Sequence, residues 1–261
     1  MSIFRFSAVM ALISIAFPVF AEDGPIPERR SLALESTDLY GGDIRTILET
    51  TLDICENACL ENTSCTALTF NQIKGACFLK NTAGARSLFN GAISMEIVNT
   101  PSALMARGVL RQEDLGFLPS GYLARATRRA AQIGRQYPVN DSGLSELGLR
   151  FEGALAANSY ADALAYAAQM LSFEDSGENW LIVATLSAKV AEINTQRAGS
   201  MRSLARDAAI NAYLRSGAND ERAKAMVVLA HMLEAANEGR RSIDALRLAQ
   251  SLNPQSNTEK A

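Results

Sequence analysis

The sequence is poor in the residues on which most metal and nucleophilic sites depend. It has one histidine, His231, and its four cysteines all fall between residues 55 and 77. It contains no H-E-x-x-H, C-x-x-C or G-x-S-x-G motif, so the usual patterns of zinc sites and of a hydrolase nucleophile elbow are missing. We therefore expect no metal, no cofactor and no catalytic residue. Counting alone does not exclude a Ser–His–Asp triad, which leaves a cell-envelope hydrolase of unrecognised type as the alternative.

Long apolar runs are missing after the first 20 residues. Residues 8–20 form an apolar run behind Arg5, and its length of roughly 13 residues is below the roughly 20 that a membrane-spanning helix needs. Val19 and Ala21 stand where a signal peptidase would cut, which predicts a signal peptide over residues 1–21. An uncleaved N-terminal anchor is the alternative. We expect a periplasmic or secreted protein with no stable membrane insertion after signal removal.

An excess of positive charge is also absent. The chain has 25 lysines and arginines against 28 aspartates and glutamates, and its net charge is −3 at pH 7. This balance gives no electrostatic reason to bind nucleic acid or an anionic membrane. We therefore expect no nucleic-acid partner.

The composition changes along the chain and predicts two domains. Before about residue 100 the sequence is rich in Thr, Asn, Cys and Gly, and after about residue 120 it is dominated by Ala, Leu and Arg. The predicted parts are a small domain over 28–98, a linker over 99–120, a helical domain over 121–254 and a polar tail over 255–261. Because the helical part has no cysteine, we expect reduction to unfold the small domain and to leave the helical part nearly untouched.

The cysteine cluster predicts a disulfide-stabilised domain. An even number of cysteines in one short region downstream of a signal peptide is typical of exported domains. Cys55 and Cys59 are four residues apart, so they share one face of a helix predicted over 51–60. Strands are predicted over 66–70 and 76–80, separated by the turn at Lys74 and Gly75. Four cysteines allow three connectivities, and the spacing does not choose among them.

A helix packed on a small sheet, with cysteines at these places, resembles the PAN/apple domain. The matching pieces are Gly41-Gly42-Asp43, the C-x3-C of Cys55 and Cys59, Cys65-x-Ala67-x-Thr69-Phe70 and Gly75-x-Cys77-x-Leu79-Lys80. The resemblance implies the pairs Cys55–Cys77 and Cys59–Cys65. It also implies a module that binds protein or carbohydrate, although such a copy could instead merely cap a larger extracellular protein.

The second half predicts helices with short turns between them. Candidate helices cover 121–135, 142–157, 160–171, 179–192, 201–215, 220–237 and 241–252, and their breaks fall at Gly, Pro, Asn and Ser. Abundant alanine favours closely packed helical hairpins. The fold class is therefore a small α+β domain of the PAN/apple type followed by an all-α domain of helical hairpins.

The last hairpin resembles a tetratricopeptide repeat. With Pro254 aligned to the proline that closes such a repeat, Leu229 and Leu233 fall on the first helix, and Leu246 and Ala249 on the second. An irregular helical bundle is the alternative. Tetratricopeptide arrays bind protein segments in their concave groove, whereas a spacer would need no groove.

Exposed side chains of the helical part are the candidate partner face. We expect this surface to carry Trp180, Tyr213 and an arginine cluster near the first helix, of which Arg125, Arg128 and Arg129 are the predicted contact residues and Arg135 a fourth member. The alternative is that the arginines only solvate a helix face. His231, in a helix with Val228 three residues before it, is interpreted as a packing or surface residue.

The order of parts resembles the N-terminal portion of bacterial alpha-2-macroglobulin-family proteins, which are periplasmic protease traps. Their later β-sandwich domains and C-x-E-Q thioester motif are not in this sequence. The resemblance therefore implies architecture and compartment only, as the front portion or a stand-alone relative of such a trap.

Overall fold

The first part of the chain folds as an antiparallel sheet with one helix against it. The computed structural model describes residues 24–139 and 143–253; the predicted signal peptide (1–21) and polar tail (255–261) lie outside them. The strand order across the sheet is β1-β5-β3-β4-β2. The elements are β1 Arg29–Leu39, β2 Asp43–Ile47, α1 Leu52–Glu61, β3 Ala67–Asn71, β4 Ala76–Lys80 and β5 Arg86–Asn99. The α+β prediction for this part is confirmed.

Helix α1 covers β3 and β4 and begins where the sequence provides a cap. The side chain of Thr51 accepts a hydrogen bond from the backbone N–H of Ile54 at 3.4 Å, which satisfies one of the free donors of the first turn. The buried side chains beneath α1 are the four cysteines together with Leu68, Leu79 and Met95. This small core is the one that the disulfides reinforce.

The described chain after the sheet is helical, and the predicted all-α part is confirmed. From α4 onward each helix packs against the next, and α6 also contacts α8, an arrangement typical of stacked helical hairpins. The helices are α2 Ser102–Gln112, α3 Ser120–Gln136, α4 Leu144–Ala156, α5 Tyr160–Met170, α6 Gly177–Ile193, α7 Ala198–Arg215, α8 Asn219–Glu234 and α9 Gly239–Leu252, with a 3-10 turn Glu113–Leu115 after α2. Among the described residues, no helix has the length and apolar character needed to cross a bilayer.

Alanines allow α6 and α7 to approach closely, because a methyl group leaves little between the backbones. Helices α6 and α7 pack against each other, and Ala184 of α6 and Ala205, Ala208 and Ala212 of α7 are all fully buried. The two aromatic residues expected on the surface, Trp180 and Tyr213, are also fully buried. That prediction was wrong because both rings fill the core between the hairpins, where a large apolar side chain gains most from leaving water.

The segment 99–120, predicted to be a linker, contains α2 and the 3-10 turn. Helix α2 lies against α7, where Arg107 donates to the carbonyl of Arg215 at 2.9 Å and Arg111 to that of Tyr213 at 3.2 Å. Gly108, which the sequence suggested as the start of a connector, is buried; a Cβ there would lie 2.7 Å from the side chain of Ile26. The glycine serves close packing and does not break the helix.

Strand β1 joins the two parts of the molecule. One edge of β1 pairs with β5 over most of its length, and α3 packs along it. At the other edge, Leu34 forms an isolated parallel bridge with Val139, whose N–H donates to the carbonyl of Ala33 at 3.0 Å. Sheet and helices therefore share one strand.

Candidate binding site

All four cysteines are bonded and buried. Cys55 is bonded to Cys77 and Cys59 to Cys65, which is the pairing that the PAN/apple resemblance implies. None of the four has exposed surface. They support the fold and offer no thiolate for catalysis or metal binding. In the described ranges, no group of three or more His, Cys, Asp or Glu side chains is placed to hold a metal ion.

Arg29 of β1 closes the C-terminus of α1, a role that no pattern in the sequence indicates. Its guanidinium donates to the carbonyls of Cys59 and Leu60, both at 2.8 Å, and of Asn62 at 2.7 Å, and also to that of Cys65. The carbonyls of Cys59 and Leu60 belong to the last turn of α1, where acceptors outnumber donors and the macrodipole favours a cation. Arg29 thus fixes the loop that the Cys59–Cys65 bridge spans.

The predicted arginine cluster of α3 divides into side chains with different surroundings. Arg125 and Arg128 are exposed, and Arg125 stacks on the ring of Tyr122 at 4.7 Å from its centre. Arg129 is half-buried, 3.6 Å from the carboxylate of buried Asp207, and donates to Gln136 at 2.9 Å. Arg135 pairs with Asp53 and Glu56 of α1. The sequence placed all four on one helix; it could not separate those held by partners from those that are free.

Two adjoining clefts lie beside α3. The first, of about 310 Å³, is lined by Arg125, Arg128, Arg129, Gln132, Arg135, Gln136 and Asp207. The second, of about 600 Å³, lies between α3 and the first turns of α7 and is lined by Arg129, Gln136, Tyr137, Arg197, Ser200, Met201, Ser203 and Leu204. Arg129 and Gln136 belong to both, so the two clefts form one continuous surface.

A separate, apolar groove runs along α6, α8 and α9. Its volume is about 710 Å³, and Val227, Ile243 and Leu246 contribute partly exposed apolar side chains to it. Next to it, His231 lines a cleft of about 430 Å³. The described lining of that cleft includes one hydroxyl, on Thr185, which donates to the carbonyl of Leu181 within its own helix. The described lining of this cleft contains no serine and no cysteine.

Comparison with known proteins adds one finding. Residues 37–80 match the family model of the PAN domain. The matched stretch runs from the end of β1 to the end of β4 and holds α1 and all four cysteines, so we call residues 29–99 the PAN-like domain. No curated protein and no solved structure matches the chain.

The PAN-like domain meets the helices through a buried carboxyl group. Glu56 of α1 has no exposed surface, accepts a hydrogen bond from the hydroxyl of Ser31 and lies 3.2 Å from Arg135 of α3. Arg135 also pairs with Asp53 at the surface. Burial raises the pKa of Glu56 to about 7, and the hydrogen bond from Ser31 opposes this only in part.

A second buried contact ties the PAN-like domain to the loop between α5 and α6. Asp175 accepts from Trp180 at 2.6 Å and from Arg215 at 2.8 Å, and lies 3.4 Å from Arg30 of β1. Arg215 has no exposed surface, so Asp175 supplies the counter-charge that burial demands. These two cations hold the pKa of Asp175 below its usual value although desolvation acts the other way. From the sequence, Asp175 was predicted only to be a turn residue before Ser176 and Gly177.

Proposed function

We propose that this chain is an exported, non-catalytic interaction protein that binds a protein or carbohydrate partner. The observation that carries the proposal is the disulfide-bonded PAN-like domain, matched over residues 37–80. PAN domains are interaction modules for proteins or carbohydrates. Two buried disulfides are also typical of extracytoplasmic proteins, which supports a periplasmic or secreted location.

The junction between the two parts supports a binding role for the molecule as a whole. Buried contacts through Glu56 and Asp175 hold the PAN-like domain on the helices. A rigid pair of domains presents its surfaces in a fixed relation and loses little freedom when a partner binds both.

A finer proposal is that the chain is the front portion, or a stand-alone relative, of an alpha-2-macroglobulin-like protease trap in the periplasm. It is supported by the order of parts alone: an apolar leader, a PAN-like domain and then helices. The DNA downstream of the codon for Ala261 tests it. β-sandwich domains and a C-x-E-Q motif in the same reading frame would favour the front portion, and a stop codon would favour a stand-alone relative.

Export is tested by expressing residues 1–261 in a bacterium and fractionating the cells. We expect a periplasmic product that begins at Glu22 and has no thiol available to a blocking reagent. A cytoplasmic product with residues 1–21 attached and reduced cysteines would contradict export.

Binding is tested with the exported, oxidised protein on a random peptide-display library and on a glycan array. We expect reproducible selection of peptides or glycans that soluble protein competes away. Failure of both probe sets to give competable binding would contradict the interaction proposal. His231→Ala serves as the control variant and should bind as the wild type does.

A further inference from the structure

The two clefts beside α3 together form the arginine cleft, which we define by all the lining residues given above for the two clefts. It is distinct from the apolar groove along α6, α8 and α9. A binding role for this cleft rests on the proposed interaction function and specifies the partner's chemistry.

Positive charge in the arginine cleft is not neutralised by the protein itself. Among the described residues that line it, Asp207 is the one carboxylate; it is 1 % exposed and lies 3.6 Å from Arg129 and 3.0 Å from Arg206. Arg125, Arg128 and Arg197 are exposed and form no ion pair within the described residues. Three free guanidinium groups around one cleft create a positive potential on a chain whose net charge is −3, and a complementary partner there is anionic.

Guanidinium groups favour carboxylates among anionic groups of proteins. The planar fork of arginine binds a carboxylate through two parallel hydrogen bonds. From Arg125 to Gln136 the helix rises roughly 16 Å, at about 1.5 Å per residue. An extended peptide advances roughly 3.3 Å per residue, so about five of its residues would span the cleft. Alternate side chains of such a peptide face the same way, which brings two or three carboxylates onto the arginines.

The other lining groups also fit a peptide. Gln132, Gln136, Ser200 and Ser203 offer side-chain amides and hydroxyls to a peptide backbone. Tyr137 and Met201 are half-buried and pack against the helical core. They provide an apolar contact at the end of the arginine cleft near α7. A sugar chain would prefer exposed aromatic faces along the cleft, and Tyr137 is the aromatic residue in its described lining.

We propose that the arginine cleft binds an extended acidic segment of a partner protein, with carboxylates on Arg125, Arg128 and Arg197 and an apolar side chain against Tyr137 and Met201. Arg129 is a positioning residue. Its contacts with Asp207 and Gln136 fix the position of the side chains that line both clefts.

The surroundings of each arginine decide which variants are useful. Sequence alone offers Arg128 and Arg129 as an equivalent pair for charge reversal. The structure makes Arg129→Glu unsuitable, because a second carboxylate beside buried Asp207 would destabilise the fold. Arg125→Glu with Arg128→Glu changes exposed side chains only. Arg240→Glu, on an exposed residue of α9, is the control for a charge reversal outside the arginine cleft.

The experiment uses the exported, oxidised chain and a fluorescein-labelled peptide of alternating glutamate and serine that ends in leucine. Fluorescence anisotropy should show binding that the double variant weakens at least about tenfold, that Arg240→Glu leaves unchanged, and that the glutamine version of the peptide lacks. Melting temperatures of the three proteins should agree closely, since the altered side chains form no ion pair and Arg206 still stacks on Tyr122, at 4.3 Å from the ring centre, when Arg125 is replaced.

Two results would overturn the proposal. Equal peptide affinity for wild type and double variant would place binding elsewhere. Binding of polygalacturonate or heparin, but not of the peptide, with the same arginine dependence would replace the acidic segment by an anionic polysaccharide. In either case, peptides or glycans selected in the display and array screens would still support the interaction function. That function is contradicted only if neither screen gives competable binding.

Discussion

Glu56 is the single side chain with the clearest consequence for stability. Burial raises its pKa to about 7 from the ordinary 4.5, so between these values the folded chain keeps a proton that the unfolded chain releases. The free energy of unfolding therefore falls as pH rises through this range, by up to about 1.4 kcal/mol per pH unit. Asp175 acts in the opposite sense, because its pKa is lowered below 3.8, and its contribution is lost only in more acidic solution.

Replacing Glu56 by glutamine should remove that slope. The amide keeps the size of the side chain and a partner for Ser31, but it does not titrate. Urea denaturation at several pH values between about 4.5 and 7 should give a nearly flat profile for Glu56→Gln. Glu61→Gln, at the exposed end of the same helix, should keep the wild-type slope. Identical profiles for wild type and Glu56→Gln would show that Glu56 does not carry the pH dependence.

At the residue scale, the sequence predicted residues whose role depends on type and spacing along the chain. It did not predict which side chains are buried between elements. The cysteines and the α3 arginines were identified from type and spacing. The burial of Trp180 and Tyr213, and of charged Glu56 and Arg215, depends on which helices meet, and spacing along one helix does not contain that information.

At the scale of elements, the packing of α3 on β1 depends on the absence of a side chain. A Cβ on Gly134 would lie 2.5 Å from the carbonyl oxygen of Ser31 and 3.2 Å from the Cα of Leu32. Both atoms belong to backbone that is fixed in the sheet. The helix could accept a methyl group there only by moving away from the strand.

Gly134→Ala should therefore lower the free energy of unfolding by about 1–3 kcal/mol, because overpacking outweighs the gain in helix propensity. Gly148→Ala is the matched control: it lies inside α4 with nothing within 4 Å of the added Cβ, and it should raise stability by up to about 1 kcal/mol. Chemical denaturation measures both. Equal effects of the two changes would mean that α3 does not press on β1.

Helices were easier to predict from sequence than strands. The seven helices expected after residue 120 appear with ends shifted by a few residues, since Gly, Pro and Asn mark their limits. Strands β3 and β4 were also found. The strands β1, β2 and β5 were missed. Strands β1 and β5 are long and mix polar and apolar residues, and β1 shifts register between Glu35 and Thr37, whereas β2 has only five residues. Helix α2 was missed because Gly108 and Pro119 resemble a connector.

At the scale of the whole molecule, composition predicts two parts that respond separately to reduction. The shared strand β1 modifies that expectation. Reduction should still leave most of the helical circular dichroism, because the helical core has no disulfide. It should, however, loosen α3, which contacts β1 through Ser31 and α1 through Glu56. The loop at Asp175 should loosen as well, since it contacts β1 through Arg30.

Hydrogen exchange with and without reductant measures this difference by segment. We expect faster exchange in the sheet, in α3 around Ala130 and at the loop containing Asp175, with α8 and α9 unchanged. Within the described residues, α8 and α9 pack against other helices and not against the sheet, so they are the internal control. Uniform protection of every helix would show that the two parts unfold independently.

The bridge between Leu34 and Val139 also bears on the fate of the first domain without its helices. The far edge of the sheet, β2, is only five residues long and carries Asp43 and Arg45, features that discourage strand-to-strand association. The edge of β1 is longer, and its middle is covered by the chain that follows α3. A proteolytic fragment ending near Asn99 would expose that edge. The edges of two such fragments would then be free to pair, so the helices protect the first domain from self-association through β1.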